Sequence, residues 1–474
     1  MIIEVKFMYL FLYFLSSAIF FSARWAFDYF GLSCFEQIPF HLKVSLEGTN
    51  KEFIFDWFKM CGTKSVLLCI LLYVFTYVPL LSTHVYAYTL LICILLIVAA
   101  GLQVGFFEWI MNQFRKTNLY ENYFVDTKDV HLTFPEKKRN LIVIYVESLE
   151  TTYTSKKNGG NYPKDLIPEL SSLANDYINF SHQKKLGGAQ MVAGTGWTTG
   201  GLVASSAGVG LTVPLSSKRF TKDAPFLSQI KSLGDILEEQ GYNQELCIGS
   251  DASFGGRRNY FSQHGNYTIW DTHSAKNYLP ENYQVFWGYE DKKLFEFAKK
   301  EITRLSQLDA PFNFQCLTVD THHPKGYLDE NAKEIYPERL SNIIRFESHL
   351  IGEFIEWIQE QPFYNDTSIV ITGDHTSMAA QYINHTYDKN YQRTTLNVFI
   401  NSSQKPFKEK NRQFTSFDLF PTILSSLGVK IEGERLGFGT NLFSKKKTLI
   451  ERMPIKKFDQ ELRKQSSYYK NHIL

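Results

Sequence analysis

Two stretches decide the fold: Leu141-Ile-Val-Ile-Tyr-Val-Glu147-Ser148 and Ser368-Ile-Val-Ile-Thr-Gly-Asp374-His375. Each is a short, unbroken run of mostly β-branched and aliphatic residues that ends on a carboxylate. An unalternating run of this length is a strand covered on both faces, the mark of a parallel sheet. Residues 140–147, 243–249, 312–319 and 368–372 read as such strands. Helical periodicity falls between them, at about 165–177, 226–240, 292–308, 337–360 and 417–427, with Gly241 and Gly428 as stops. Strands alternating with helices predict an α/β fold with a mostly parallel sheet and helices on both faces.

In open α/β sheets, sites form beyond the C-terminal ends of the strands. Four segments place polar chemistry there. Glu147 ends the first run; it is either a cation ligand or a surface residue just past its strand, since a buried carboxylate needs a partner. Asp374-His375 sets a hard oxygen beside an imidazole nitrogen. Asp320-Thr-His322-His323-Pro324 follows the strand at 312–319, where a structural histidine competes with a functional one. Gly194-Thr195-Gly-Trp-Thr198-Thr-Gly-Gly-Leu-Val-Ala-Ser205 reads as a loop opening a helix. A threonine there serves as an N-cap or, because a helix N-terminus favours anions, as a group beside a phosphoryl substrate. Taken together, an acid pair, imidazoles and a threonine fit a metal-assisted nucleophile.

The chain has 474 residues, enough for more than one domain, and 50 Lys+Arg balance 48 Asp+Glu, which argues against a nucleic-acid binder. The mean hydropathy of −0.20 averages an oily N-terminal region with a polar remainder. Phe7 to Ala23 carries no charge over 17 residues, and Ser65 to Phe107 no Asp, Glu, Lys or Arg over 43. The second run is too long for one crossing. Pro79, Ser82, Thr83 and His84 offer a turn, so spans at about 65–82 and 86–107 are expected, and about three membrane helices within 1–107. Residues 108–139 read as a polar connector, 140–444 as the catalytic domain and 445–474, with nine Lys/Arg against three acids, as a solvated basic tail. The cysteines include no C-x-x-C pair, and Cys247 and Cys316 read as buried thiols.

The motifs V-E-S-L-E, G-T-x-W-T-x-x-G-L-V-A-S, D-T-H-H-P, G-D-H and Ser416-Phe-Asp-Leu-Phe-Pro-Thr422 resemble, in wording and order, those of the membrane-anchored phosphoglycerol transferases. These comprise the lipoteichoic-acid synthases and osmoregulated periplasmic glucan transferases of the alkaline phosphatase/sulfatase superfamily. The resemblance covers about 140–430 and is nearer the glucan transferases in D-T-H-H-P and W-T-x-x-G. It implies Glu147, Asp374 and His375 as metal ligands and Thr198 as both nucleophile and fourth ligand, with Thr195 as the rival. His322 matches the phosphate-contacting histidine and Arg257 the headgroup-contacting arginine, with Arg258 as its alternative. Gly255 departs from the pattern of the Gram-positive synthases, which have tryptophan there. The metal implied is Mn2+, with Mg2+ as the alternative. The donor implied is phosphatidylglycerol, the acceptor an extracytoplasmic glycan or glycolipid, and the location a cytoplasmic (inner) membrane with the catalytic domain outside, in the periplasm. A phosphoethanolamine transferase and a catalytically silent membrane sensor of the same fold are the competing readings.

Overall fold

The computed structural model describes residues 2–30, 35–43, 51–75, 84–212, 224–323, 325–379, 381–383, 388 and 390–474. Pro79, Ser82 and Thr83 of the expected turn, Cys34 and Pro324 lie outside the described residues. The chain forms two compact units: one holds Met1–Phe35, Thr49–Phe114 and Met378–Gln381, the other Glu36–Gly48, Arg115–Ser377 and Tyr382–Leu474.

In the first unit the helix Ile2–Phe30 packs against Thr63–Phe75 and Val85–Gln103. Among the described residues, three segments are long and apolar enough to cross a membrane: Phe7–Asp28, Ile54–Val74 and Tyr86–Gln103. Phe11, Leu67, Ile70, Ile94 and Leu95 leave large apolar side chains exposed on them, as a lipid solvent requires. Two polar groups between the helices are satisfied internally: Trp57 Nε1 donates to Ser22 Oγ at 3.0 Å and Cys61 Sγ to the Phe21 carbonyl at 3.4 Å. The second segment starts at Ile54, not at Ser65. Charge-free length placed that boundary, but helix runs on through Asp56, Lys59 and Lys64; lysines can carry their ammonium heads to water along apolar stems and so do not mark the end of such a helix.

Among the described residues, the second unit is built on one seven-stranded sheet: β1 Asn140–Val146, β2 Gly188–Ala189, β3 Asn243–Ile248, β4 Thr268–Trp270, β5 Phe312–Leu317, β6 Thr367–Gly373 and β7 Thr395–Ile400. Their order is β2-β7-β6-β1-β5-β3-β4. The pairs from β6 to β4 are parallel; β7 runs antiparallel to β6, and β2 to β7. β1 sits at the centre, buried from Leu141 to Val146. Its Tyr145 faces Leu317 on one side and Thr372 on the other. The loops that follow β1, β5 and β6 therefore leave the sheet at one level.

The four strands read from apolar runs are present. β7 escaped that reading because Asn397 interrupts its run; the Asn397 side chain is buried and exchanges hydrogen bonds with the backbone of Phe180 at 2.8 and 3.0 Å. The helix expected over 226–240 begins at Leu233, where Ser232 and Asp235 form a capping box. Cys247 and Cys316 are buried and free, side by side on β3 and β5.

The segment 445–474 is not a solvated tail. It forms helices Ile455–Leu462 and Ser467–His472. Phe458 with Leu462 on the first helix, and Tyr469 with Ile473 just past the end of the second, are buried four residues apart, the spacing that puts side chains on one face. Asp459 Oδ1 accepts the Ala193 amide at 2.7 Å and Glu461 Oε2 the Thr117 hydroxyl at 2.7 Å. Counting lysines concealed this, since they occupy the opposite face. Phe458→Ala is expected to cost about 3–5 kcal/mol, as for other buried aromatic truncations, read as a lowered urea midpoint.

Candidate active site

Glu147 follows β1 directly, and the next residue, Ser148, holds a φ of 58°. A non-glycine residue there is uncommon. The turn lets the Ser148 hydroxyl donate to Glu147 Oε1 at 2.7 Å while its amide donates to Asp374 Oδ1 at 2.9 Å. Thr318 Oγ1 accepts the Glu147 amide at 3.0 Å, and the Thr321 hydroxyl donates to the Glu147 carbonyl at 2.6 Å. The loop after β5 thus clamps the backbone of this acid from both sides.

Asp374 and His375 follow β6. Asp374 Oδ1 accepts the His375 amide at 2.7 Å, while Oδ2 is buried with no hydrogen-bond partner among the described residues. His375 Nδ1 lies 2.9 Å from the Thr376 carbonyl. That contact makes Nδ1 the donor and leaves Nε2 with its lone pair. His375 Nε2 is 3.4 Å from Asp374 Oδ2 and 3.5 Å from Glu147 Oε1.

Thr198 is the first residue of the helix Thr198–Ala207. Its Oγ1 lies 3.3 Å from Glu147 Oε2 and 3.4 Å from His375 Nε2. Thr195 is elsewhere: it is fully buried, donating to the Val192 carbonyl at 2.8 Å and accepting the Val192 amide at 3.0 Å. Neither threonine caps the helix, whose N-cap is Trp197 without a side-chain bond. The helix ends at Gly208, ten residues after Thr198, with a φ of 65°. Gly201 is required for a different reason: a Cβ there would lie 2.0 Å from the Asp374 carbonyl oxygen. The helix can approach the Asp374 backbone only with glycine at this turn.

Electrostatics reflect the crowding of like charges. Burial, then the Glu147 charge, pushes the Asp374 carboxyl up to about 7. Burial also works against Glu147, but His375, His322 and the Ser148 hydroxyl outweigh it and hold that carboxyl below its usual range. Burial pulls His375 down, yet Asp374 and Glu147 together raise it. An acid pair and an imidazole that compete for protons are a good receptor for a cation.

His322 and His323 each offer a nitrogen within 4.8 Å of a Glu147 oxygen. His322 Nδ1 is 2.8 Å from the His323 carbonyl, and its ring meets Trp287 edge-to-face at 4.9 Å. Arg257 is buried at the start of the helix Arg257–Gln263, donating to the Asp251 carbonyl at 2.7 Å and the Phe254 carbonyl at 2.8 Å. Its charge is felt by Glu147 and Asp374. Arg258 is paired with Asp271 instead, which removes it as an alternative to Arg257.

Sequence reasoning missed three contributors. Trp287 packs between Phe254 and His322. His41, on the helix Gln37–Lys43, is lowered to about 4 by burial and then by nearby His322; the same helix seats Phe40 against Trp197 at 5.6 Å. Glu150, the second acid of V-E-S-L-E, is buried and takes both forks of Arg393 at 2.6 and 2.8 Å, plus the Ser377 amide at 3.1 Å. It holds the chain just beyond His375. Only Glu150 lay within a motif; the others are remote in sequence.

The molecule is an α/β protein with a carboxylate–imidazole–hydroxyl cluster at the ends of its central strands. The chain belongs to the Sulfatase family, whose model matches residues 139–429, and it has the alkaline phosphatase/sulfatase fold. It is 31% identical over 312 residues to phosphoglycerol transferase I of Escherichia coli strain 55989, a match covering 64% of this chain and 39% of that protein. The chain thus aligns with well under half the length of this relative. Among solved structures, lipooligosaccharide phosphoethanolamine transferase A, an integral membrane protein of Neisseria meningitidis, aligns over 90% of this chain and 84% of its own at TM-score 0.51 and 14% identity. The lipoteichoic acid synthase LtaP of Listeria monocytogenes aligns over 67% and 79% at TM-score 0.49 and 18% identity.

Proposed function

We propose that this chain is a membrane-anchored, metal-dependent transferase that moves phosphoglycerol from phosphatidylglycerol to an extracytoplasmic glycan or glycolipid through a phosphothreonine intermediate. The observation that carries it is the placement of the Thr198 hydroxyl, at a helix N-terminus, within 3.4 Å of both Glu147 and His375. The identity to phosphoglycerol transferase I supports the choice of transferred group.

The residues present fit a divalent metal. Asp374 Oδ2 is buried without a hydrogen-bond partner among the described residues, and the His375 contact with Thr376 leaves Nε2 as a ligand atom. Glu147, Asp374, His375 and Thr198 would hold the ion, and mostly oxygen donors with one imidazole favour Mn2+ over a thiolate-seeking metal, with Mg2+ as the alternative. When bound, it would supply Lewis acidity that acidifies the threonine hydroxyl and offsets phosphoryl charge.

The chain's own residues account for the remaining steps. Thr198 Oγ loses its proton and bonds to phosphorus as the bond to the diacylglycerol oxygen breaks; diacylglycerol leaves carrying a proton. A glycan hydroxyl then bonds to phosphorus and the Thr198 Oγ–phosphorus bond breaks, restoring the threonine. Arg257, fixed by backbone carbonyls, contacts the glycerol headgroup. His322 contacts the phosphoryl group; with Nδ1 donating to the His323 carbonyl, Nε2 can take the proton of the acceptor hydroxyl.

The test is mass spectrometry of the full chain in detergent after incubation with phosphatidylglycerol and Mn2+. A glycerophosphoryl adduct on Thr198 with diacylglycerol release is expected. An adduct from phosphatidylethanolamine alone would move the reading to a phosphoethanolamine transferase, and no adduct from either lipid would favour the silent sensor.

A lipid donor and a glycan acceptor place the catalytic unit outside the cytoplasm, which with three spans puts the N-terminus inside. Reporter fusions at Lys51 and after Phe443 are both expected to read extracytoplasmic; a cytoplasmic signal after Phe443 rejects this topology.

A further inference from the structure

Behind the active-site loop lies a second group of acids. Asp291 opens the helix Asp291–Ser306, Asp320 sits in the loop after β5, and Glu347 lies within the helix Arg339–Gln359. All three are buried, at 0%, 2% and 3% exposure. Each offers an oxygen within 4.8 Å of the others.

Their hydrogen bonding is lopsided. Asp291 accepts the Val319 amide at 2.8 and 2.9 Å and the Asp320 amide at 2.6 Å. Asp320 Oδ2 accepts the Asp291 amide at 3.1 Å. Among the described residues, Asp320 Oδ1 and both oxygens of Glu347 are buried without a partner in hydrogen-bond geometry, Asp291 and the Thr318 side chain being the polar groups beside Glu347. Lys293, two residues after Asp291, pairs with Glu290 instead. Burial, together with mutual repulsion between the acids, raises the carboxyl groups of Glu347 and Asp320 well above their ordinary range. Buried carboxylates persist when paired or when they ligate a metal, and these have orphaned oxygens in place of a partner.

We propose that Asp291, Asp320 and Glu347 form a second cation site, distinct from the one at Glu147, Asp374 and His375, that takes a hard divalent ion. The all-carboxylate donor set selects the oxygen-seeking class of Mg2+, Mn2+ and Ca2+ and offers nothing to a thiolate- or imidazole-seeking metal. Such an ion would join two helices and the loop that carries His322 and His323. Thr318 and Thr321 of that same loop grip the Glu147 backbone. The site therefore has a positioning role, setting the loop against the active centre from behind.

Equilibrium dialysis of the full chain in detergent against Mn2+, with bound metal counted by elemental analysis, tests this. The wild-type chain is expected to hold two ions. Asp374→Asn should retain one, and adding Glu347→Gln to it should remove that ion while the circular dichroism stays native. An Asp374→Asn chain that holds none, or one whose ion survives Glu347→Gln, overturns the proposal. If Glu347→Gln does not fold, the isosteric Asp320→Asn takes its place and the same two readings decide. The count does not depend on transfer activity, so it stands or falls apart from the proposed reaction.

Discussion

Thr198→Ala is expected to abolish both the glycerophosphoryl adduct and transfer, lowering turnover by about 10³-fold or more, as loss of a covalent nucleophile does. The fold should survive, because the hydroxyl at the helix start meets only Glu147 and His375. Thr195→Ala should act in the opposite sense. Its hydroxyl is spent on the Val192 amide and carbonyl; removing it leaves the Val192 amide unpaired, while the carbonyl keeps the Thr195 amide at 3.1 Å, at a cost of about 1–3 kcal/mol. The adduct should still form. Adduct mass spectrometry and urea unfolding on the two variants separate chemistry from stability. An adduct that vanishes with Thr195→Ala and persists with Thr198→Ala would transfer the nucleophile to Thr195.

Glu147→Ala, Asp374→Ala and His375→Ala should each weaken metal binding at this site by at least about 100-fold, more than loss of an outer-shell partner would. Affinity should also climb with pH. Asp374 holds its proton up to about 7 in the metal-free cluster and His375 is raised, so protons and metal compete for the same atoms. Below about pH 7 the proton wins more often, and Mn2+ affinity falls. Titrations of the wild type at pH 6 and 8 check the sign; equal affinity at both would mean that these groups do not ligate. Wild-type affinity in all three variants would dismantle the site.

The candidate site was legible because its chemistry sits at strand ends. Glu147, Asp374 and His322 each follow an apolar run that reads as a buried strand, and the parallel register brings the loops after β1, β5 and β6 to one edge. Arg257 and Thr198 were placed through motif wording. Thr198 was preferred to Thr195 on motif wording, and the coordinates add that the Thr198 hydroxyl meets Glu147 and His375 whereas that of Thr195 bonds to Val192. The segment after Ser444 was misjudged because composition counts charges without regard to face, whereas burial follows the spacing of Phe458, Leu462, Tyr469 and Ile473.

Apolar runs, helical spacing and charge-free length by themselves determined the α/β architecture, the central strands and the apolar N-terminal region, because local periodicity is set by which faces of an element must leave water. The tertiary structure alone decided which polar residues meet. Glu150 reaches Arg393, His41 comes beside His322, Trp287 packs on that ring, and Asp291, Asp320 and Glu347 converge beneath the loop. These contacts span from about thirty to nearly three hundred residues of chain. No local pattern encodes them, since they arise from strand order and from how each helix returns to the sheet.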